Sequence, residues 1–327
     1  MMPPSPVLSV EALSAHYRTR SGLEIRAVDA VSFGVAEGEI LGIAGESGCG
    51  KTTLVNACMG LFLPPLVHGG GDVKIGGTSI LGLAPEQYRS RVLGRMISMI
   101  PQGALNSLNP TRRIKDLAAD MISSHEARAD RREIHERLRE RFTRIGLDAA
   151  HVLNAYPVEL PAGIKQRVVI GISTLLNPKI VIADEPTSAL DVSTQKSVIR
   201  LLFDLMDAGI VASMLFITHE LPLLRHVATR IAVMYAGEFV EVGPTEDVIF
   251  RGLAPYTQAL MGSMLSIDPT GRQNRPIALE GAPPDLKLPI AGCRFAARCR
   301  EARSDCRELE QELRTVGTRQ VRCRYVG

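Results

Sequence analysis

The chain has 327 residues, of which 45% are hydrophobic and 22% charged, and a formal net charge of +3. That length accommodates a full α/β core with smaller additions, and no apolar run approaches the roughly 18 residues of a membrane-spanning helix. The small net charge, 4% aromatic content and lack of tryptophan argue against a nucleic-acid-binding surface. The opening Met1-Met2-Pro3-Pro4-Ser5-Pro6 lacks the basic and apolar regions of a signal peptide, so the cytoplasm is expected, with any membrane role carried by partners.

Residues 7–17 and 25–35 alternate apolar and polar side chains and are expected to be strands, joined by a turn at Ser21-Gly22. Tyr17 closes the first; its ring is either a stacking platform for a base or an ordinary edge-strand tyrosine. The apolar run Ile40-Leu41-Gly42-Ile43-Ala44 leads into Gly45-Glu46-Ser47-Gly48-Cys49-Gly50-Lys51-Thr52 and then Thr53-Leu54-Val55. This is a P-loop in strand-then-helix context. Glycines let the backbone wrap a phosphate with its amide hydrogens, and the following helix adds the positive end of its dipole. Lys51 is placed to reach the β- and γ-phosphates, and the Thr52 hydroxyl to hold Mg²⁺.

Beyond the helix, Gly69-Gly70-Gly71 reads as loop, followed by a strand over 72–75. Residues 96–100 form a buried strand running into Pro101-Gln102, where the Gln102 carbonyl can reach Mg²⁺ or its water. The stretch 114–146 turns helical and heavily charged, with a narrow apolar stripe of Ile134, Leu138, Phe142 and Ile145 and a C-capping Gly146. Lys179-Ile180-Val181-Ile182-Ala183-Asp184-Glu185 is a near-continuous apolar strand, as in the interior of a parallel sheet, ending in two carboxylates. Ligands of open α/β sheets bind at that edge, so Asp184 can orient the Mg²⁺ shell and Glu185 can polarise water. A second buried strand, 214–217, ends at Thr218-His219, which places His219 at the same edge.

In this order the parts resemble the ATP-binding subunits of ABC transporters over residues 7 to about 250. The resemblance assigns ATP binding to Tyr17, Gly45, Ser47, Gly48, Cys49, Gly50, Lys51, Thr52, Thr53, Gln102 and Asp184, with Mg²⁺ on Thr52 and Gln102. Glu185 becomes the catalytic carboxylate, with Lys51 and His219 beside it, and Ser188-Ala189-Leu190-Asp191 the D-loop. It implies a P-loop α/β core with an antiparallel edge sheet, in which 1–102 and 166–250 are the two parts of the nucleotide-binding core. Residues 103–165 are then a helical subdomain with the signature motif, and 251–327 a C-terminal extension.

Pro255-Tyr256-Thr257-Gln258-Ala259-Leu260, Gly281-Ala282-Pro283-Pro284-Asp285-Leu286 and Gly292-Cys293-Arg294-Phe295 look like the C-terminal extension of dipeptide and oligopeptide importer ATPases. That group also serves oligosaccharide and metal import. The implied partners are two transmembrane permease subunits, a second ATPase subunit and, indirectly, an extracellular solute-binding protein, at the cytoplasmic face of the cell membrane. The alternatives are a soluble ABC ATPase acting on nucleic acid or in cluster assembly, and a nucleotide-binding scaffold of low turnover. A single P-loop without an internal repeat favours the transporter.

Two features stand apart. The signature helix of the family begins Leu-Ser-Gly-Gly-Gln, whereas the aligned stretch here is Leu160-Pro161-Ala162-Gly163-Ile164-Lys165-Gln166. Pro161 removes a hydroxyl and an amide hydrogen, and Ala162 puts a methyl where phosphate approaches, while the helix itself should survive a proline in its first turn. The resemblance implies a head-to-tail cassette dimer in which these residues face the partner's ATP, and a hetero-pair is expected in preference to a homodimer. The second feature is Cys293, Cys299, Cys306 and Cys323, spaced Cys-x5-Cys-x6-Cys-x16-Cys. Four thiolates suit an Fe–S cluster or Zn²⁺, and the resemblance points to [4Fe–4S]. The nine arginines between Arg294 and Arg324, among five acids, read as a solvated or subunit-facing surface.

Overall fold

The computed structural model describes residues 6–126, 130–263, 279–288 and 290–326. Outside them lie residues 1–5, on which the reading of the N-terminus rests, 127–129 of the charged helical stretch, and 264–278, 289 and 327. In chain order come strands β1 (Leu8–Arg18), β2 (Glu24–Val35) and β3 (Ile40–Ala44), helix α1 (Lys51–Cys58), β4 (Leu66–Ile75), β5 (Thr78–Ser79), the short α2 (Pro85–Gln87) and β6 (Ile97–Ile100). Helices α3 (Ile114–His125), α4 (Arg131–Arg144), α5 (Ala149–Asn154) and α6 (Ala162–Ser173) follow, then β7 (Ile180–Asp184), α7 (Val192–Asp207) and β8 (Ser213–Ile217). The chain continues through α8 (Leu221–Val227), β9 (Arg230–Tyr235), β10 (Glu238–Pro244), α9 (Thr245–Arg251), α10 (Pro255–Gly262), β11 (Arg314–Val316) and β12 (Arg319–Val321). No helix among the described residues is long and apolar enough to cross a membrane.

The elements gather into two compact units. One comprises the segment up to Leu8, Val35–Glu39 and Lys74–Phe216; the other comprises Ser9–Gly34, Ile40–Val73 and the chain from Ile217 onward. In the first, β8, β7 and β6 lie side by side in that order, and β6 and β7 run parallel with Ile97 opposite Ile180 and Ile100 opposite Ala183. Every residue of β7 and β8 is buried, which is why both are apolar apart from Asp184 and Ser213 at their ends. The stripe on α4 behaves as its spacing demands: Ile134, Leu138, Phe142 and Ile145 are all at most 2% exposed. Burying each such side chain contributes about 1.5–3 kcal/mol. Gly146, at φ 74°, ends this helix: its N–H donates to the Thr143 carbonyl and Leu147 N–H to that of Phe142, at 2.9 and 3.0 Å.

The second unit carries β3 and β9 paired in parallel, with Leu41 opposite Arg230 and Ala44 opposite Val233. Antiparallel β10 and the β11–β12 hairpin of the C-terminal extension extend this sheet in the order β11-β12-β10-β9-β3. In the same unit β2, β1 and β4 hydrogen-bond in that order. Here the expectation of a loop at Gly69-Gly70-Gly71 fails, because all three lie inside β4. A Cβ on Gly71, at φ 84°, would collide with the Ala12 carbonyl, and one on Gly69 would stand 3.1 Å from the His16 ring. The glycines admit a tight backbone approach to an irregular β1 rather than a turn. Ala12 and Ala30 adopt left-handed backbone, and their N–H groups donate to the hydroxyls of Ser32 and Ser14 at 2.8 and 2.9 Å.

Candidate active site

Strand β3 is buried along its whole length, and the chain leaves it at Gly45 to enter α1 at Lys51. The turn uses left-handed backbone at Gly45, Gly48 and Gly50. A Cβ on Gly50 would strike the Ala27 carbonyl oxygen, and one on Gly45 that of Met234, so no other residue fits either position. The Gly48 position faces open space. The Lys51 ammonium is drawn back over this loop, donating to the Gly45 and Glu46 carbonyls at 2.7 and 2.9 Å. The result is a preformed nest of the kind that receives phosphate, with a cation at its rim. Thr52 is exposed in the first turn of α1, Ser47 is exposed in the loop, and Cys49 is buried, with burial raising its thiol pKa. Tyr17 reaches the same helix, its hydroxyl 3.0 Å from that of Thr53. His219 is exposed in the link from β8 to α8, just before Glu220, whose N–H donates to the Thr218 hydroxyl at 3.0 Å.

In the other unit, β7 delivers Asp184, 2% exposed, and then Glu185 in left-handed backbone at φ 48°. Ala189 is also left-handed, at φ 62°. Non-glycine residues in this region carry local strain that the surroundings must hold. The hold is visible. Ser188 N–H donates to the Glu185 carbonyl at 3.1 Å, and the Gln166 amide, itself 2% exposed, donates to the Pro186 carbonyl at 2.7 Å. Gln102, in the turn after β6, donates to the Glu185 carboxylate at 3.4 Å, so the structure brings these two expected residues together. Asp191 caps α7, accepting from the Ser193 and Thr194 N–H groups at 3.0 Å each and from both hydroxyls. Those donors, the Ser193 hydroxyl foremost, hold its carboxyl far below the usual carboxylate range.

The signature stretch folds as anticipated. Pro161, at φ −57° and ψ 153°, occupies the N-cap of α6, and its carbonyl accepts from Lys165 N–H at 2.9 Å. Pro161 and Ala162 are exposed, whereas a Cβ on Gly163 would come within 2.9 Å of Thr194 at the start of α7. Gln166, inside that stretch, ties α6 to the Glu185 loop through its buried side chain.

Cys293, Cys299, Cys306 and Cys323 line one cavity of about 370 Å³, shared with Tyr235, Tyr256 and Phe295. The four cysteines that cluster in the sequence thus border the same cavity. The expected ligand set is nonetheless not formed: all four are free thiols, and among the described residues no three His, Cys, Asp or Glu side chains converge as metal ligands. Cys293 N–H instead bonds the Cys306 carbonyl at 2.7 Å, and Cys306 Sγ accepts from Arg303 N–H at 3.4 Å. Burial pushes the Cys293 and Cys299 thiols up, and the neighbouring thiols add to it.

Sequence reasoning missed the attachment of this extension to the phosphate loop. Phe295 packs on Tyr235 and Tyr256 with ring centroids 5.3 Å from each, and Tyr235 and Tyr256 are 4.4 Å apart. The Tyr256 hydroxyl accepts from Glu46 N–H at 3.0 Å, and Arg298 grips the Glu46 carboxylate. These pairs are more than 200 residues apart in sequence and carry no local signal.

A buried parallel strand, a glycine nest and a lysine-headed helix define a P-loop nucleotide-binding fold. The family description for ABC transporters matches residues 28–188, and that for the oligopeptide/dipeptide transporter C-terminal region matches 240–306. The dipeptide transport ATP-binding protein DppD of Caldanaerobacter subterraneus subsp. tengcongensis is 36% identical, over 98% of this chain and 97% of its own. The oligopeptide transport ATP-binding protein OppF of Escherichia coli K12 is also 36% identical, over 97% and 95%. Among solved structures, the ATP-binding cassette MJ0796, a dimer in a post-hydrolysis state with ADP and phosphate, superposes with a TM-score of 0.63. It shares 25% identity and covers 73% of this chain and 98% of that one. The chain thus belongs to the ABC transporter ATP-binding subunits, in the dipeptide/oligopeptide importer branch, and is an ATPase. The relatives are transport proteins, which disfavours the soluble nucleic-acid or cluster-assembly alternative.

Proposed function

We propose that this chain hydrolyses ATP to drive peptide import through a membrane complex, from the cytoplasmic face. The observation that carries the reading is the preformed phosphate nest, with Lys51 held over it, in a chain that also carries the C-terminal region of peptide transporters. Residues 1–102 and 166–250 make the nucleotide-binding core, 103–165 the helical subdomain on which two permease subunits dock, and 251–327 the extension. A solute-binding protein outside the cell delivers the peptide.

In this reading Tyr17 takes the adenine, and Gly45, Ser47, Gly48, Cys49, Gly50 and Thr53 frame the phosphates. Lys51 takes the charge that develops on the γ-phosphate. Thr52 and Gln102, with Asp184, would hold Mg²⁺, which when bound would supply further charge neutralisation. Glu185 orients water and accepts its proton, Gln102 holds the Glu185 carboxylate and couples it to the permease, and His219 donates to the γ-phosphate. Little covalent chemistry is asked of the protein; positioning and fixed charge do most of it.

Pro161, Ala162 and Gly163 face the ATP of the opposing subunit. An exposed proline N-cap has neither hydroxyl nor N–H to give, so the opposing site lacks a donor whose loss costs about 3 kcal/mol, roughly a hundredfold in rate. We therefore favour pairing with a different ATPase subunit, this chain's own P-loop forming the competent site. Pro161→Ser should raise turnover of the self-paired chain roughly a hundredfold; an unchanged rate refutes this role for the substitution.

A [4Fe–4S] cluster, or alternatively Zn²⁺, is proposed for the four-cysteine cavity because all four cysteines line it. It would pin the tail, and no step of hydrolysis runs through it. Protein purified without oxygen should contain iron and show thiolate-to-iron absorbance; protein free of both iron and zinc counts against the metal.

A further inference from the structure

The loop that receives phosphates carries a carboxylate of its own. Glu46 follows Gly45 directly, and left charged it would repel a polyphosphate entering the nest. Its partner comes from the C-terminal extension: Arg298 donates to Glu46 Oε2 through Nη1 at 2.6 Å and to Oε1 through Nη2 at 3.0 Å. This is a bidentate pair, the strong and directional form of the interaction. The Arg298 side chain is only 4% exposed, so little water is present to screen the pair. Three further contacts fix the guanidinium. Arg298 Nε donates to the Glu280 carbonyl at 2.9 Å, Nη1 donates to the Tyr235 hydroxyl at 3.3 Å, and the group stands 5.8 Å from the Tyr235 ring centroid. The Glu46 backbone is held as well, through its N–H bond to Tyr256 on α10.

We propose that Arg298 is a positioning residue for nucleotide: it neutralises the Glu46 carboxylate and fixes that side chain, making the C-terminal extension a working part of the phosphate site. The inference rests on the reading of this loop as the ATP site. It gives the extension a role that packing alone does not, because charge at Glu46, rather than loss of contacts, sets the affinity.

Charge and packing separate in a double-mutant cycle on the full-length chain, read by titration with a fluorescent ATP analogue and Mg²⁺. Arg298→Met should weaken binding roughly tenfold, the scale of one charge-assisted hydrogen bond. Glu46→Gln should tighten binding, and Glu46→Gln in the Arg298→Met background should recover most of the loss. Equal affinities for wild type and Arg298→Met overturn the proposal, as does a double variant as weak as Arg298→Met. Should Arg298→Met fail to fold by circular dichroism, Glu46→Gln decides alone: tighter binding supports the proposal and weaker binding overturns it. A wild-type chain that binds no ATP overturns the nucleotide reading itself, and this inference with it.

Discussion

Glu185→Gln should slow ATP turnover by about 10²–10⁴-fold, the range removed with a general base, while ATP affinity stays within about threefold. The substitution is nearly isosteric and takes away the negative charge alone. Glu185 follows a fully buried strand in strained left-handed backbone, braced by Ser188 N–H and by Gln166 on the Pro186 carbonyl. Those constraints act on the main chain and survive the change. The split between turnover and binding is therefore the signature of a group that acts on water and not on the bound nucleotide. Phosphate release at saturating ATP, set beside a binding titration, reads both quantities. Turnover within threefold of wild type would move the base elsewhere.

Lys51→Met reverses the pattern, with the loss falling on binding. Its ammonium is already positioned by two loop carbonyls at 2.7 and 2.9 Å, so its charge meets phosphate without an entropic search. Charge-assisted contacts of this kind contribute about 1.5–3 kcal/mol each, and the dissociation constant should rise by roughly a hundredfold. A melting experiment offers an independent view: ATP at about 100 times the wild-type dissociation constant stabilises the folded chain by about 2.7 kcal/mol. Most of that increment should vanish in Lys51→Met. An undiminished ATP-dependent shift would mean that the loop does not bind through this lysine.

The parts of the fold that showed in the sequence are those where local chemistry and tertiary role agree. β3 throughout and β7 up to Asp184 lack charged or polar side chains because both strands are buried, and the loop after β3 is written in glycines because neighbouring carbonyls leave no room for a Cβ at Gly45 and Gly50. The stripe on α4 and its Gly146 stop follow from helix periodicity and cap geometry. Gly69-Gly70-Gly71 misled for a physical reason. Composition cannot distinguish glycine needed for a turn from glycine needed beside another strand, and β1 approaches closely at Ala12 and Ser14.

The hidden parts of the site are long-range pairings. The Arg298–Glu46 clamp spans 252 positions, and nothing in the sequence from Arg294 to Arg324, with its nine arginines, distinguishes the one that reaches the phosphate loop. Gln166 is similar: inside a motif its role looks assigned, yet its bond to the Pro186 carbonyl serves this chain's own acidic loop. The cysteines lie midway. Their clustering located a common cavity, but spacing does not determine whether sulfurs converge.

On the proposed reading, ATP on this loop is hydrolysed when a second, different cassette closes over it. Phosphate release should be measured for the chain alone, for the chain with its companion ATPase subunit in the reconstituted membrane complex, and for that complex carrying Glu185→Gln in this chain only. The account predicts slow release alone, fast peptide-stimulated release by the complex, and loss of nearly all of it in the variant complex. Equal rates for the isolated chain and the complex, or a variant complex as fast as wild type, would contradict it.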